Sequence, residues 1–221
     1  GAILAVLLLY FKTLFPWGFN KTKEDTKKTF SLWFKIAFAC VPAIIFGLFL
    51  DDWMDEHFYN AIVVAVALIV YGILFIVIES KNIGKRQTKS IDDITYKQAF
   101  EIGLFQLLAL VPGTSRSGST ILGGLLIGLE RNVVAKFTFL LGIPVMFGAS
   151  VLKLFKYILK VGFHFQKIEI AVLLAGSIVA FLVSLFVIKF VMNYIKKHDF
   201  KVFGWYRIAL GIIVLLYFVL R

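Results

Sequence analysis

The middle of the chain carries a polar stretch between two short apolar segments. Residues 112–120 read Pro-Gly-Thr-Ser-Arg-Ser-Gly-Ser-Thr. Before them lie residues 102–111, whose only strongly polar side chain is Gln106, and after them the uncharged residues 121–129. Each flank has about ten residues and spans roughly 15 Å as a helix, whereas the hydrocarbon core of a membrane is roughly 30 Å thick. Each flank therefore reaches only halfway across.

Two half-length helices joined by a glycine-containing polar turn predict a re-entrant hairpin. Irregular backbone is tolerated at membrane depth only where it is buried in protein or lines a wet cavity. In such a hairpin Arg116 would lie near the midplane, where an arginine is by default a functional group with an anionic partner. The alternative is a glycine- and serine-rich turn whose arginine contacts a lipid head group. We expect the hairpin to contain the functional site.

Composition places the chain in a membrane. Its 221 residues are 60% hydrophobic and 17% charged, and the mean hydropathy is +0.90. The net charge of +11 would suggest nucleic-acid binding in a soluble protein, but the lysines cluster in short loops between apolar spans. This pattern predicts anionic membrane lipids or anionic substrates as partners, and no nucleic acid. Cys40 is the only cysteine and the three histidines lack ligand spacing, so neither a disulfide nor a metal site is predicted.

Five apolar spans are long enough to cross a membrane as helices. We predict them at residues 30–50, 61–78, 133–151, 170–188 and 203–220. Lys35 is expected to extend toward the end of the first span, with its charge in water. The predicted fold is all-α and polytopic, with transmembrane helices and a re-entrant helical hairpin in a single domain. That domain comprises a first helical group 1–98, the hairpin 99–131 and a second helical group 132–221.

The first apolar segment, residues 1–11, is too short to cross a membrane. As a helix it would span roughly 16 Å. We expect it to be a helix cut at its start, with further residues upstream. Three spans, a hairpin and three more spans then predict an inverted repeat, in which a second hairpin precedes Gly1.

The loop charges predict the orientation. Lysines and arginines mark the loops at residues 21–28 and 81–89 as cytoplasmic, and the acidic loop 51–56 as outside. For the later loops, at residues 153–167 and 196–201, charge counting allows either side. We prefer a hairpin that returns to the side from which it enters, because its flanks are short.

The side chains of the turn suit an oxyanion. Arg116 offers a planar fork of donors, the hydroxyls add further donors, and Gly113 and Gly118 let backbone N–H groups approach an anion. The second half-helix, expected to begin near residues 118–121, would add its positive dipole end. A P-loop is excluded, because Ser119 replaces the essential lysine and no strand precedes the turn. The catalytic candidates are Arg116 and Ser115, and the substrate-binding candidates are Thr114, Ser117, Gly118, Ser119, Thr120 and Gln106.

Three acidic residues precede or enter the hairpin. Asp92 and Asp93 come just before the expected helix start near Thr95, where they are predicted to cap the helix or complement its dipole. Glu101, at the mouth of the hairpin, has two interpretations. It either pairs with a lysine or faces the substrate cavity.

Three runs around the turn resemble a known family signature. Residues 92–100 read Asp-Asp-Ile-Thr-Tyr-Lys-Gln-Ala-Phe, residues 102–106 read Ile-Gly-Leu-Phe-Gln, and residues 108–118 read Leu-Ala-Leu-Val-Pro-Gly-Thr-Ser-Arg-Ser-Gly. Together they resemble the second signature of bacterial undecaprenyl pyrophosphate phosphatases of the bacitracin-resistance type. The resemblance extends over the rest of the chain, including residues 1–6, 128–131 and 137–141.

The resemblance implies hydrolysis of the C55 prenyl diphosphate to the monophosphate, which recycles the lipid carrier for cell-wall synthesis. It implies a site that opens outward from the bacterial inner membrane, in a fold with two oppositely directed hairpins and often as a homodimer. It further implies roles in holding the diphosphate for Arg116, Ser115, Ser117 and Thr120. Gln106 corresponds, by the internal repeat, to a catalytic glutamate of the other hairpin.

The family's first signature supplies glutamates, a serine nucleophile and a histidine, and we expect it upstream of Gly1. A divalent cation, Mg²⁺ or Ca²⁺, is expected from the family and would use those carboxylates, because hard cations need oxygen ligands. We therefore expect no metal ligand in this chain and predict that these 221 residues alone are inactive. Detectable phosphate release by this fragment would contradict that prediction.

Two functional hypotheses follow. In a prenyl diphosphate phosphatase, Arg116 and the hydroxyls would neutralise charge on the transferred phosphoryl group. The alternative is a polyprenyl-phosphate transporter or scramblase, because inverted repeats, broken helices and a midplane anion site are also features of transporters. A purely structural subunit would leave Arg116 unexplained.

Overall fold

The computed structural model describes residues 1–17, 21–84, 87–162 and 166–220. The loop cations Lys85 and Arg86, the histidine His164 and the side chains of Asp51, Asp52 and Asp55 lie outside this description. The described residues form an all-α fold without a strand. Its helices are α1 (Ala2–Leu9), α2 (Phe11–Leu14), α3 (Lys23–Phe58), α4 (Ala61–Ser80), α5 (Tyr96–Leu107), α6 (Arg116–Leu126), α7 (Arg131–Val161), α8 (Lys167–Ile195) and α9 (Lys201–Val219).

The five predicted spans are confirmed as helices that are long and apolar enough to cross a membrane, namely α3, α4, α7, α8 and α9. Three of them run well past the apolar segments. Helix α3, for example, has 36 residues and therefore spans about 54 Å. The extra turns carry charged side chains, which end an apolar segment but do not end a helix.

Lys35 does not extend to the end of its span as predicted. Its side chain is buried, and Nζ donates a hydrogen bond to the backbone carbonyl of Asp92 at 3.0 Å. The ammonium also lies 5.9 Å from the centre of the Tyr96 ring. Both partners come from the entry to the hairpin, about sixty residues away in sequence. Lys35 thus joins α3 to α5.

The hairpin begins with a capping box and not with the predicted aspartate cap. The hydroxyl of Thr95 accepts a hydrogen bond from the N–H of Gln98 at 3.1 Å, and the side chain of Gln98 accepts one from the N–H of Thr95 at 3.0 Å. This reciprocal pair satisfies two donors at once. The predicted start of the second half-helix near residues 118–121 is also wrong, because α6 begins at Arg116 with Ser115 as its N-cap.

Both ends of the hairpin meet the same loop, so the hairpin returns to the side from which it enters. Gln98, near the start of α5, donates to the hydroxyl of Thr88 at 2.9 Å. Thr88 forms a parallel bridge with Leu129, just after α6, and its carbonyl accepts from the N–H of Glu130 at 3.0 Å. The preferred returning hairpin is thus what the structure contains. It puts Lys196, Lys197 and Lys201 on the same side as the loop at residues 81–89, which we call the lysine-rich side.

Protein surrounds the hairpin. In α5, Gly103 has no room for a Cβ because the backbone of Ala39 in α3 lies against it. In the turn, a Cβ on Gly113 would lie 2.6 Å from the carbonyl oxygen of Val64 in α4. These close approaches cover part of the non-helical backbone with protein, and of residues 111–115 Thr114 is buried while Ser115 stays exposed.

Helices α4 and α9 pack closely through small residues. A Cβ on Gly72 would lie 2.7 Å from the carbonyl oxygen of Gly204, and one on Gly211 would lie 2.8 Å from that of Ala65. Small residues let two membrane helices bring their backbones together. This contact fixes the height of α9 against α4, and with it the position of Arg207.

An ion pair connects three helices on the lysine-rich side. The guanidinium of Arg131 donates to both carboxylate oxygens of Glu79, with its shortest contact at 2.6 Å. Glu79 also accepts from the N–H of Phe200 at 3.3 Å. The pair therefore holds together the end of α4, the start of α7 and the start of α9.

A double-mutant cycle should detect this pair. For Glu79→Gln and Arg131→Met we expect a coupling energy of about 2 kcal/mol, because the carboxylate is fully buried and the contact is bidentate. Thermal and chemical unfolding in detergent would measure it. The matched control is the exposed pair of Glu24 and Lys28, whose cycle should give less than about 0.5 kcal/mol. Equal coupling in the two cycles would contradict the prediction.

Candidate functional site

The turn between α5 and α6 holds two residues in left-handed backbone conformations. Gly113 has a φ of 89° and Ser115 a φ of 63°. Glycine adopts such angles freely. For a serine this conformation costs about 1–3 kcal/mol, so it persists only where the surrounding structure fixes it. Strained residues of this kind gather at functional sites. The strain therefore identifies Ser115 as the first point of interest.

Ser115 caps α6, and two backbone N–H groups next to it lack an acceptor in the described part of the chain. Its hydroxyl accepts from the N–H of Gly118 at 3.3 Å, and its carbonyl accepts from that of Ser119 at 3.0 Å. The N–H groups of Arg116 and Ser117 have no acceptor in the described part of the chain. Free N–H groups at a positive helix end suit an anion.

Arg116 extends from this helix start into a cavity of about 210 Å³ between α1, α6, α7 and α8. A Cβ on Gly142 would lie 2.7 Å from its guanidinium, so a larger residue there would displace the guanidinium from its present position. Gly142 is eleven residues after Arg131, about 16 Å along α7 and so about half of a hydrocarbon core of roughly 30 Å. The other walls are mostly apolar, with Ile3 and Phe139 among them.

The charge of Arg116 is not paired with a carboxylate of the described residues. Among the residues that the structure describes, no carboxylate lies within 4 Å of its guanidinium, and the cavity lining contains neither a carboxylate nor a histidine. A half-buried cation at this depth is costly unless an anion joins it. The arrangement therefore fits an anionic group attached to an apolar body.

Besides Arg116, the polar side chains that line this cavity are Ser117, Thr138 and Ser184. The hydroxyl of Ser117 lies 3.3 Å from that of Ser115, so either hydroxyl can donate a hydrogen bond to the other. Thr138 donates to the hydroxyl of Thr120 at 3.0 Å, and Thr120 in turn donates to the carbonyl of Arg116 at 3.1 Å. Thr120 therefore supports the helix start from behind.

Two predicted site residues face away from the cavity. Ser119 and Thr114 are fully buried beside the hydroxyl of Tyr71 in α4. Ser119 uses its hydroxyl to donate to the carbonyl of Ser115 at 3.2 Å. The structure thus separates these two residues from Arg116 and Ser117.

Gln106 lies inside the protein on α5, one turn beyond Gly103 and the α3 contact. Only 3% of it is exposed, and neither polar atom of its side chain has a hydrogen-bond partner among the described residues. A buried polar group without a partner costs about 1–3 kcal/mol. Such a cost usually has a functional reason. Gln106 does not, however, line the cavity beside Arg116.

The sequence analysis missed Arg207, which holds the turn from α9. Its Nη2 donates to the carbonyls of Gly113 and Thr114 at 2.8 and 2.9 Å. Its guanidinium lies 5.7 Å from the centre of the Tyr71 ring, and Nη1 would be 3.1 Å from a Cβ on Gly118. The available signal was a lone arginine within an apolar span, which by default marks a function.

The acidic residues near the hairpin form no metal site. Glu101 lies 3.9 Å from Lys97 one turn away, so of its two interpretations the structure favours the lysine pair. In the described ranges, no three His, Cys, Asp or Glu side chains are grouped to hold a metal ion. The turn offers hydroxyls and two arginines, whereas a hard cation needs carboxylate or carbonyl oxygens. These residues do not fit a divalent cation by themselves.

Comparisons with known proteins show the family of this chain. The family described as bacitracin resistance protein BacA matches residues 1–213. The chain belongs to this family. It is 56% identical to the undecaprenyl-diphosphatase of Enterococcus faecalis over 98% of the chain and 78% of that relative. It is 57% identical to the enzyme of the same name from Desulfitobacterium hafniense, over 100% and 79%. It is 56% identical to the undecaprenyl-diphosphatase of Streptococcus thermophilus, over 98% of the chain and 75% of that relative.

In this BacA family member, substitutions of Ser115 should separate capping from strain. Ser115→Ala removes the cap but keeps the left-handed strain, so we expect a loss of about 1 kcal/mol in unfolding free energy. Ser115→Gly also removes the cap but relieves the strain, so its stability should equal or exceed that of the wild type. Unfolding in detergent would compare them. A glycine variant less stable than the alanine variant would contradict the backbone argument.

Arg207→Met should destabilise the hairpin, because two buried carbonyls lose a charged donor. We expect a loss of about 3 kcal/mol in the free energy of unfolding. The matched control is Lys189→Met, which removes a lone exposed cation from α8 and should change stability by less than about 0.5 kcal/mol. If both variants unfolded alike, Arg207 would not be the clamp of the turn.

Proposed function

We propose that the chain hydrolyses undecaprenyl diphosphate to undecaprenyl phosphate and inorganic phosphate. The observation that carries the proposal is the unpaired guanidinium of Arg116 in a mostly apolar cavity. An anionic head group and an apolar chain in one molecule would satisfy both features. The names of the related proteins supply the reaction.

In this proposal the start of α6 binds the diphosphate. Arg116 contacts phosphate oxygens through its fork, while the free N–H groups of Arg116 and Ser117 and the hydroxyl of Ser117 donate to the same anion. Fixed donors of this kind stabilise charge that grows on a transferred phosphoryl group, which is the main catalytic demand of this reaction class. Binding and charge stabilisation are the roles we assign to these residues.

Ser115 is the second catalytic candidate. Its side chain is exposed, and its hydroxyl lies 3.3 Å from that of Ser117. From this position the Ser115 hydroxyl would contact the same anion and hold one phosphate oxygen in place. Thr120 and Arg207 act indirectly, as positioning residues for the helix start and the turn.

The remaining substrate candidates have supporting roles. Thr114, Gly118 and Ser119 pack behind the turn, so they would shape the phosphate site without contacting the lipid tail. Gln106 would donate to the substrate or to a further polar group brought beside it. We assign no step to Mg²⁺ or Ca²⁺, because the residues around the turn do not fit such an ion.

We also propose that the site opens away from the lysine-rich side of a bacterial inner membrane, and that the protein forms a homodimer. The hairpin enters from the lysine-rich side and its turn points away from it, which supports an outward opening. The apolar, exposed surface of α8 supports contact with lipid or with a second copy. The transporter alternative is not favoured, since the named relatives are hydrolases.

Arg116→Ala should abolish most phosphate release. We expect kcat to fall by about 10²–10³-fold, the usual effect of removing one donor to a developing charge. The assay measures inorganic phosphate from undecaprenyl diphosphate in detergent, with the full gene product. Lys97→Ala, an exposed cation at the entry to the hairpin, serves as the matched control and should keep wild-type kcat. Full activity in the Arg116→Ala variant, with its fold intact, would refute the proposed site.

A further inference from the structure

A second polar pocket lies on the lysine-rich side, and none of its lining residues belongs to the turn between α5 and α6. It has a volume of about 320 Å³ and lies between α2, α3, the loop before α5 and the start of α7. Lysines dominate its lining, which consists of Lys12, Lys21, Lys28, Lys136, Asp25, Asp92, Thr13, Thr29, Leu32 and Ile91. Four cations against two carboxylates leave it with a positive charge.

Two of these lysines, in the part of the chain that the structure describes, have neither a carboxylate partner nor a side-chain hydrogen bond. Lys28 pairs with Glu24 at 2.8 Å, and Lys21 donates to the carbonyl of Phe15 and to a threonine hydroxyl. Lys12 and Lys136 have no carboxylate within 4 Å in the part of the chain that the structure describes. Lys136 is half-buried, and its Nζ lies 5.7 Å from the centre of the Tyr10 ring.

The aspartates of the pocket do not cancel this charge. The carboxylate of Asp25 accepts from both the N–H and the hydroxyl of Thr22, at 3.0 and 2.8 Å. Asp92 is exposed and lies near both Lys28 and Lys136 without a contact within 4 Å. Two lysine ammonium groups thus remain available to one anion.

A separate apolar groove is lined by the next residues along the same helices, such as Leu14 after Thr13 and Trp33 after Leu32. It has a volume of about 280 Å³ and almost no polar surface. On α7 the lining changes from Lys136 to Leu140 and Pro144, which share one helix face. On α3 it changes from Thr29 to Ile36 in the same direction.

This groove is distinct from the cavity beside Arg116. The two share only Ile143 among their lining residues, and the polar pocket shares none with either. At the junction of pocket and groove, the indole N–H of Trp33 donates to the carbonyl of Leu14 at 3.0 Å. A tryptophan at such a boundary is typical of the membrane interface.

We propose that the pocket and groove form a binding site for an anionic glycerophospholipid of the surrounding bilayer, with the head-group phosphate between Lys12 and Lys136 and one acyl chain along Leu140 and Ile36. Basic pockets between membrane helices on the lysine-rich side recognise head groups in this way. The ordered change from cations to apolar side chains matches an amphiphile. A free phosphate would use only the first half of the site.

Native mass spectrometry of the full gene product tests this proposal, using phosphatidylglycerol against phosphatidylcholine as probes. We expect selective retention of phosphatidylglycerol. In Lys12→Gln/Lys136→Gln its affinity should fall about 25-fold, since each lysine near a lipid phosphate contributes about fivefold. The control Lys153→Gln/Lys156→Gln removes two exposed cations from the far end of α7 and should keep wild-type affinity.

A second variant tests the groove without changing charge. Ala37 is exposed and lines the groove, so Ala37→Trp should fill it and reduce phosphatidylglycerol retention while the protein keeps its unfolding temperature. Equal losses in both lysine double variants would mean that binding is unspecific charge attraction, and would overturn the site. So would stronger retention of a polyprenyl monophosphate than of phosphatidylglycerol, or unchanged retention in Ala37→Trp.

Discussion

The hairpin exists because one arginine satisfies carbonyl groups that no helix can satisfy. Where α5 ends and α6 begins, the carbonyls of Gly113 and Thr114 accept no hydrogen bond from a backbone N–H of the described residues. Arg207 donates to both from α9. Without such a donor the turn would carry unpaired polar groups in an apolar medium, and the two half-helices could not stop there. The rest of the structure serves to bring Arg207 to this point.

Close packing delivers that arginine. The small residues Gly72, Gly204 and Gly211 bring α4 and α9 into backbone contact, and this contact fixes the register of α9 against the turn. At the lysine-rich end, Glu79 binds Arg131 and the N–H of Phe200, so the starts of α7 and α9 are held at one level. The helix pair and the ion pair together orient both arginines of the site.

The two arginines of the hairpin region, Arg207 and Arg116, differ in how their guanidinium groups interact with the protein. Arg207 donates through Nη2 to two backbone carbonyls, whereas Arg116 extends into a cavity to which the described residues contribute no carboxylate. Positive charge is thus concentrated around a strained turn, and only part of it is used internally. That surplus, next to apolar walls, is the physical basis for assigning a lipid diphosphate to the site. The separate lysine pocket applies the same combination of cation and apolar groove near the membrane surface.

The sequence by itself determined the five spans and the hairpin, because these depend on local quantities such as length, hydropathy and glycine content. Only the tertiary structure decided the roles of Arg207 and Lys35, since their acceptors lie about 90 and about 60 residues away. It also decided that α6 begins at Arg116, because Ser115 caps it in a strained conformation that no propensity predicts. It separated Thr114 and Ser119 from the cavity, because Thr114 lies in the turn and Ser119 on the buried face of α6, and spacing alone does not reveal which side of a segment is covered.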